Sequence, residues 1–260
     1  MLRTLSATRY VTPLREGGSL PAIIEAEDDG LYVVKFRGAG QGAKALIAEL
    51  ISGELARAFG LRVPEIVLIE LDAALGRNEA DSEIRELLTK SAGINLALDY
   101  LPGSITFDRS ASASVDPLIA SKIVWLDAFT TNVDRTARNV NMLMWHKNLW
   151  LIDHGASLYF HHQWKGELDK SRIPFTQIKN HVLLSTASHL KQADDELRAM
   201  LTKALLESIV AEIPERWLME NPAFATVQEH RAAYVNFLLD RAEASKIFLT
   251  EAEHARAQLV

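Results

Sequence analysis

No cysteine occurs in this sequence, which excludes disulfides, thiolate zinc sites and cysteine nucleophiles and suits a reducing cytoplasm. No apolar run approaches the roughly 20 residues of a membrane-spanning helix, and the N-terminus, MLRTLSATRY, lacks the apolar centre of a signal peptide. A soluble, cytoplasmic protein without membrane insertion is therefore expected. Positive charge is outnumbered, with 28 Lys and Arg against 34 Asp and Glu. The formal net charge of −6 argues against broad, non-specific binding to nucleic acid or anionic membrane. There is no internal repeat, no low-complexity tract and no Gly-Lys-Ser/Thr, so a Walker A phosphate loop is excluded as well.

What is present is 260 residues of ordinary globular composition, enough for one large domain or two joined lobes. Ala22 to Ala26 and Leu31 to Phe36 are rich in β-branched and aromatic residues and flank Asp28-Asp29-Gly30, a turn signal. A Gly-rich stretch from Gly38 to Gly42 leads into a helix over 43–59, where Leu46, Ile47, Leu50, Ile51, Leu55 and Phe59 recur at helical spacing. Gly60 is the expected stop, and Pro64 opens an extended piece to Leu71. A polar loop with a short helix over 72–92 and a strand over 94–100 follow. Pro102-Gly103-Ser104 then breaks the chain. Beyond it the pattern predicts helices over about 114–130, 195–212 and 225–257, interrupted by one β-hairpin. Its strands, 141–145 and 149–152, flank a three-residue turn, His146-Lys147-Asn148. The outline is α+β and bilobal: a small β-rich lobe over 1–101, with an antiparallel sheet and one helix, and a larger, mainly helical lobe over 102–260.

The hairpin carries the chemistry. Asn132-Val133-Asp134-Arg135-Thr136-Ala137-Arg138-Asn139 precedes it and Asp153-His154-Gly155 follows it. A hairpin brings its open ends together, so Asn139 and Asp153 should be close, with Asp134 facing the same place. Few protein oxygens, completed by phosphate and water, are what Mg²⁺ prefers. Phosphoryl transfer needs one Asp at the attacking hydroxyl and an Asn and a second Asp on the metal. Protein kinases place these groups in an Asp-x-x-x-x-Asn loop followed by Asp-Phe-Gly, and Asp134 and Asn139 have that separation. With a three-residue turn Asn141 lies opposite Asp153, so Asn141 is a rival ligand.

Such chemistry needs a cation on the phosphates. Lys35 is the only charge of its strand and shares a face with Val33, which would cover the adenine of ATP while Lys35 reaches the phosphates. Glu49 borders the buried stripe of the following helix and is costly there unless paired, with Lys35 the natural partner; Glu54 is the alternative. Two segments compete as phosphate cover: Gly17, Gly18 and Ser19, which are preferred, and the stretch Gly38 to Gly42. Asp99, Tyr100 and Leu101 form the lobe connection, whose backbone would meet the adenine edge.

The pattern Asn132-x-Asp134-Arg135-x-x-x-Asn139, a hairpin and Leu151-Ile152-Asp153-His154-Gly155 resembles the HipA-like kinases, the family of bacterial toxin kinases, and more distantly the phosphoinositide kinases. Ala48-Glu49 through Ala56 and Gly60-Leu61-Arg62-Val63-Pro64 look like the first helix and next strand of that group, so the resemblance covers about residues 10–160. It implies a protein-kinase-like fold, ATP and Mg²⁺ as cofactors, Lys35, Glu49 and Asp134 as catalytic residues, and Asn139 and Asp153 as metal ligands. The implied acceptor is a Ser or Thr hydroxyl of a protein; the alternatives are a small molecule or lipid headgroup, or a nucleotide-binding pseudokinase. Thr136 stands where relatives have His, which leaves the acceptor hydroxyl to Asp134 alone. The antitoxin-like partner of the toxin is not carried over. Arg135 and Arg138 either touch phosphate or brace the loop, and His161-His162 and Trp125, Trp145 and Trp150 are expected to be structural. The acceptor pocket is expected in the helical segment after 190.

Overall fold

In the computed structural model, which describes residues 1–14, 20–40, 42–77, 79–164, 168–220 and 222–259, the chain opens with β1 (Thr4–Pro13), β2 (Ala22–Ala26) and β3 (Leu31–Lys35). Helix α1 (Ala43–Ala58), β4 (Ile66–Leu71), α2 (Ser82–Lys90) and β5 (Gly93–Asp99) follow. The five strands close into a barrel in the order β1-β2-β3-β5-β4. Closure depends on a parallel pairing that sets Thr4, Leu5 and Ser6 of β1 beside Leu68, Ile69 and Glu70 of β4, so the sheet is not wholly antiparallel as expected. It also uses a strand that the pattern did not reveal: only Leu5 of β1 is buried, so alternation is faint there. The expected turn forms, with Asp29 at φ 61° and the Gly30 amide bonded to the Asp28 carboxylate at 3.1 Å. Period-two alternation sends Tyr32 and Val34 into the barrel interior with Ile24, Val67, Ile69 and Ala97. Val33 and Lys35 consequently share the outer face.

Helix α1 packs on that outer face. It is buried nearly all round, at Leu46, Ile47, Leu50, Ile51 and Leu55 among others, which marks a helix sandwiched between layers. Gly53 permits the approach to β4, since a Cβ there would lie 2.5 Å from Ile66 Cδ1.

A short strand β6 (Ile105–Thr106), unforeseen in the sequence, precedes α3 (Pro117–Phe129) and the hairpin β7 (Met142–Trp145) and β8 (Asn148–Leu151). The three strands form one sheet in the order β6-β7-β8. Helix α3 starts where Asp116 accepts the Leu118 and Ile119 amides and Pro117 takes the first turn. The remainder is helical: α4 (Leu168–Ser171), α5 (Leu190–Met200), α6 (Lys203–Ala211), α7 (Glu215–Met219), α8 (Val227–Glu243) and α9 (Ser245–Ala257). Two expected long helices are thus broken. Thr202 caps α6 through the Leu205 amide, and Ala244 separates α8 from α9. Among the described residues no helix is long and apolar enough to cross a membrane.

The hairpin turn has two residues, not three. Trp145 faces Asn148 and Met142 faces Leu151, with His146 and Lys147 at φ 47° and 62°. This geometry usually recruits Asn-Gly, which is absent here, so the sequence pattern points to a longer turn than the one that forms. Continued outward, it sets Asn141 against Ile152, whose amide bonds the Asn141 carbonyl at 3.1 Å, and not against Asp153. Because Lys147 is exposed and left-handed, Lys147→Gly is expected to raise stability by about 0.5–1 kcal/mol, read as a higher urea midpoint.

One apolar core runs from α1 and the outer-face residues Ile66, Leu96 and Leu98 through Trp125 and Phe129 of α3 to Leu206, Trp217, Leu238 and Phe248. Polar ties reinforce it: Trp217 Nε1 donates to the Ile94 carbonyl at 3.1 Å, and Arg37 pairs with Glu220 at 2.6 Å.

Candidate active site

Lys35 projects from the end of β3 between two carboxylates. Its Nζ lies 2.6 Å from Glu49 Oε2 and 2.6 Å from Asp153 Oδ1. Burial works against the Lys35 charge, but Asp153 and Glu49 outweigh it and hold the ammonium well above its ordinary range. Burial raises the pKa of Glu49, which is completely buried, against the pull of Lys35. The Lys35 charge in turn holds the half-exposed Asp153 carboxyl below the usual range. Asp153 stands at φ 56°, a left-handed conformation that Asp tolerates better than most residues, just where β8 has ended.

The loop before the hairpin forms the other half. Asp134 Oδ2 accepts from Asn139 Nδ2 at 2.6 Å and from Asn141 Nδ2 at 3.3 Å, and Asn141 Nδ2 also reaches the Asp153 carbonyl at 3.4 Å. Asn141 therefore joins the two halves, and among the described residues no hydrogen bond links Asn139 directly to Asp153. Thr136 acts as a turn former: its hydroxyl accepts the Arg138 and Asn139 amides at 3.3 and 3.4 Å.

The loop rests on a charge that sequence inspection missed. Asp127, in the last turn of α3 and fully buried, accepts from Asn132 Nδ2 at 2.9 Å, Arg135 Nε at 2.6 Å and His181 Nε2 at 2.9 Å. The Leu183 amide donates to His181 Nδ1, which leaves the proton on Nε2, facing Asp127. Burial opposes the Asp127 charge, yet Arg135 and the His181 bond prevail and hold its carboxyl far below the ordinary range. The available signal was an Asp inside the apolar run Val124-Trp125-Leu126-Asp127-Ala128-Phe129, expensive unless paired. Arg135 also donates to the Asn141 and Ile152 carbonyls and, from Nη2, to His154 Nδ1 at 3.2 Å. It braces the loop and both hairpin ends. Arg138 differs: it is exposed, and no carboxylate pairs with it among the described residues. His154, buried and held neutral with its pKa pushed down to about 3 by burial and then by Arg135, packs behind Asp153.

Of the other residues singled out, Val33 is half-buried on the Lys35 face, paired with Leu98 of β5. The Asp99 amide donates to the Glu65 carbonyl at 2.8 Å and the Tyr100 amide to the Leu31 carbonyl at 3.0 Å, whereas the Leu101 amide makes no hydrogen bond among the described residues. Gly17, Gly18 and Ser19 lie outside the described residues. Trp125 is a core residue bonded to Asp194 at 2.7 Å, while Trp145 and Trp150 are half-buried and pack edge to face. His161 is buried against the Tyr234 hydroxyl at 3.0 Å.

Comparison with known proteins follows the same lines. No curated protein matches this chain. Among solved structures, the Helicobacter pylori proinflammatory kinase CtkA superposes with a TM-score of 0.61 at 13% identity, covering 98% of this chain and 99% of that one. The Golgi casein kinase, solved with Mn and ADP bound, gives 0.54 at 14% identity over 99% and 76%. At such identities these likenesses show a shared kinase-like fold. The HipA-like kinase family matches residues 8–250, nearly the whole chain. On that match the chain belongs to the HipA-like kinase family and is a kinase.

Proposed function

We propose that this kinase transfers the γ-phosphoryl group of ATP, with Mg²⁺, to a Ser or Thr hydroxyl of a protein. The observation that carries the reading is Lys35 held at 2.6 Å from both Glu49 and Asp153. In a bilobal arrangement, residues 1–101 and 102–260 would face each other across the nucleotide. Val33 covers the adenine, the Leu101 amide supplies a donor to its edge, and Lys35 engages the phosphates.

The donors suit Mg²⁺. Asn139 Oδ1 and Asp153 Oδ2 are hard oxygens that accept no hydrogen bond among the described residues, and the relative with Mn and ADP bound shows that this fold can hold both kinds of group. Held there by Asn139 and Asp153, Mg²⁺ would offset the negative charge of the phosphate oxygens. Asn139 is preferred to Asn141 for its kinase-like five-residue spacing from Asp134, since the side-chain amides of both donate to that carboxylate. Asp134 takes the proton as the acceptor oxygen attacks the γ-phosphorus and the bond to ADP breaks, so the products are ADP and a phosphoester. Arg138, exposed beside this loop, is free to meet phosphate.

ATP with Mg²⁺ is expected to raise the melting temperature of the wild type and to give labelled phosphoprotein from [γ-³²P]ATP. Asp153→Ala should abolish the transfer. Equal, non-zero transfer by both proteins would overturn the assignment.

A further inference from the structure

Next to Asp134 the molecule has a second recess with a composition of its own. A pocket of about 260 Å³ opens between the catalytic loop, represented by Val133, the segment after Asp-His-Gly, represented by Tyr159, and residues 170–177, with α8 as its floor. Most of its walls therefore precede residue 190. Its volume falls just below the roughly 300 Å³ at which ligand sites begin, so it suits one large side chain rather than a nucleotide. Val133, Tyr159 and Ile173 are all exposed at this recess, three large apolar groups left in contact with water.

Its charge runs against that of the protein. The chain carries −6, yet no carboxylate lines the pocket among the described residues, and Lys170 and Arg241 do. Lys170 donates to the Gln163 carbonyl at 2.8 Å and forms no ion pair among the described residues. Arg241, completely buried, lies 4.9 Å from the Phe248 ring centre and among the described residues donates to four backbone carbonyls: Phe129 at 2.7 Å, Ala128 at 2.6 Å, Ser171 at 2.9 Å and Ile173 at 3.3 Å. A guanidinium has five N–H donors, so one remains beyond these four acceptors. Burial lowers its pKa to about 10, which leaves it charged at neutral pH. The recess is apolar, cationic and continuous with the loop that carries Asp134.

We propose, on the basis of the phosphotransfer reading above, that this pocket docks the acceptor polypeptide, taking a bulky apolar side chain near the phosphorylated hydroxyl with an acidic residue beside it. An apolar side chain gains by covering Val133, Tyr159 and Ile173, and a neighbouring carboxylate meets Lys170 and Arg241 where no carboxylate lines the pocket among the described residues.

A Ser-centred positional-scanning peptide library with labelled ATP tests this. Wild type should prefer Leu, Phe or Met over Ala at one position near the Ser, and Asp or Glu at another, each by about tenfold, or 1.4 kcal/mol. Ile173→Asp should erase the apolar preference, and Lys170→Glu the acidic one, mainly through KM, while the melting shift with ATP and Mg²⁺ is unchanged in both. Preferences that are absent, or that survive both substitutions, overturn the proposal. If wild type binds ATP but labels no peptide, the function reading fails for peptide acceptors and anisotropy of fluorescein-labelled peptides decides the docking. A Leu- and Glu-bearing peptide that binds about tenfold tighter than its Ala counterpart, and loses this in Ile173→Asp, upholds the pocket; equal binding overturns it.

Discussion

Lys35→Met should lose both activity and stability, whereas Asp153→Asn should lose activity alone. In the proposed mechanism both groups act at the phosphates, and removing one electrostatic contributor of this kind costs about 10²–10³-fold in rate. The difference lies in burial. Removing Lys35 strands Glu49, completely buried, beside a second carboxylate at Asp153. Breaking a buried pair from one side costs about 3–5 kcal/mol. Asp153 is half-exposed, and its Asn replacement leaves the Lys35–Glu49 bond intact, so its stability should stay within about 1 kcal/mol of wild type. Glu49→Gln, which removes the stranded charge but keeps the shape, should recover part of the stability when added to Lys35→Met, and no activity. Urea denaturation and a phosphotransfer assay on the same preparations check both halves. An Asp153→Asn protein as unstable as Lys35→Met would refute this division.

Asp127→Ala is expected to lower stability by about 3–5 kcal/mol, for a related reason. Three donors converge on that carboxylate, and without it the Arg135 guanidinium is left buried with carbonyls and a neutral imidazole. The double replacement Asp127→Leu with Arg135→Met should be less destabilised than Asp127→Ala alone, because no unpaired charge remains. It should still transfer phosphate poorly, since Arg135 also holds the Asn141 and Ile152 carbonyls that fix the hairpin ends. Denaturant midpoints and turnover measure the two effects. A cost of less than about 1 kcal/mol for Asp127→Ala would show that the cluster is not what holds the loop.

The legible parts of this protein were those whose signal is local or whose cost is high. Lys35 could be paired with Glu49 because a carboxylate in an apolar helix demands a cation, and Asp153 could be placed because a hairpin joins its own ends. The parallel closure of β1 on β4 was illegible, since it links residues more than sixty positions apart through a strand with one buried side chain. The register of the hairpin was misread because His146 and Lys147 adopt left-handed geometry without the glycine that normally announces it. His181 carried no local mark at all; its partner Asp127 is near only in space. Helices α5 and α6 read as one because amphipathic periodicity continues past Thr202, and a cap with a single hydrogen bond decides the break.

The apolar core that passes through α1 bears on how the protein comes apart. Leu46, Leu50 and Leu55 are covered jointly by the outer strand face and by the later helices. A chain cut after Leu101 would keep its barrel interior but bare that helix, and with it the surface from which much of the cohesion derives. Residues 1–101 alone are therefore not expected to fold as a stable unit, although the Pro-Gly break falls just after them. Unfolding should proceed as one cooperative transition, with Glu49 kept in place by the same residues that keep the molecule whole.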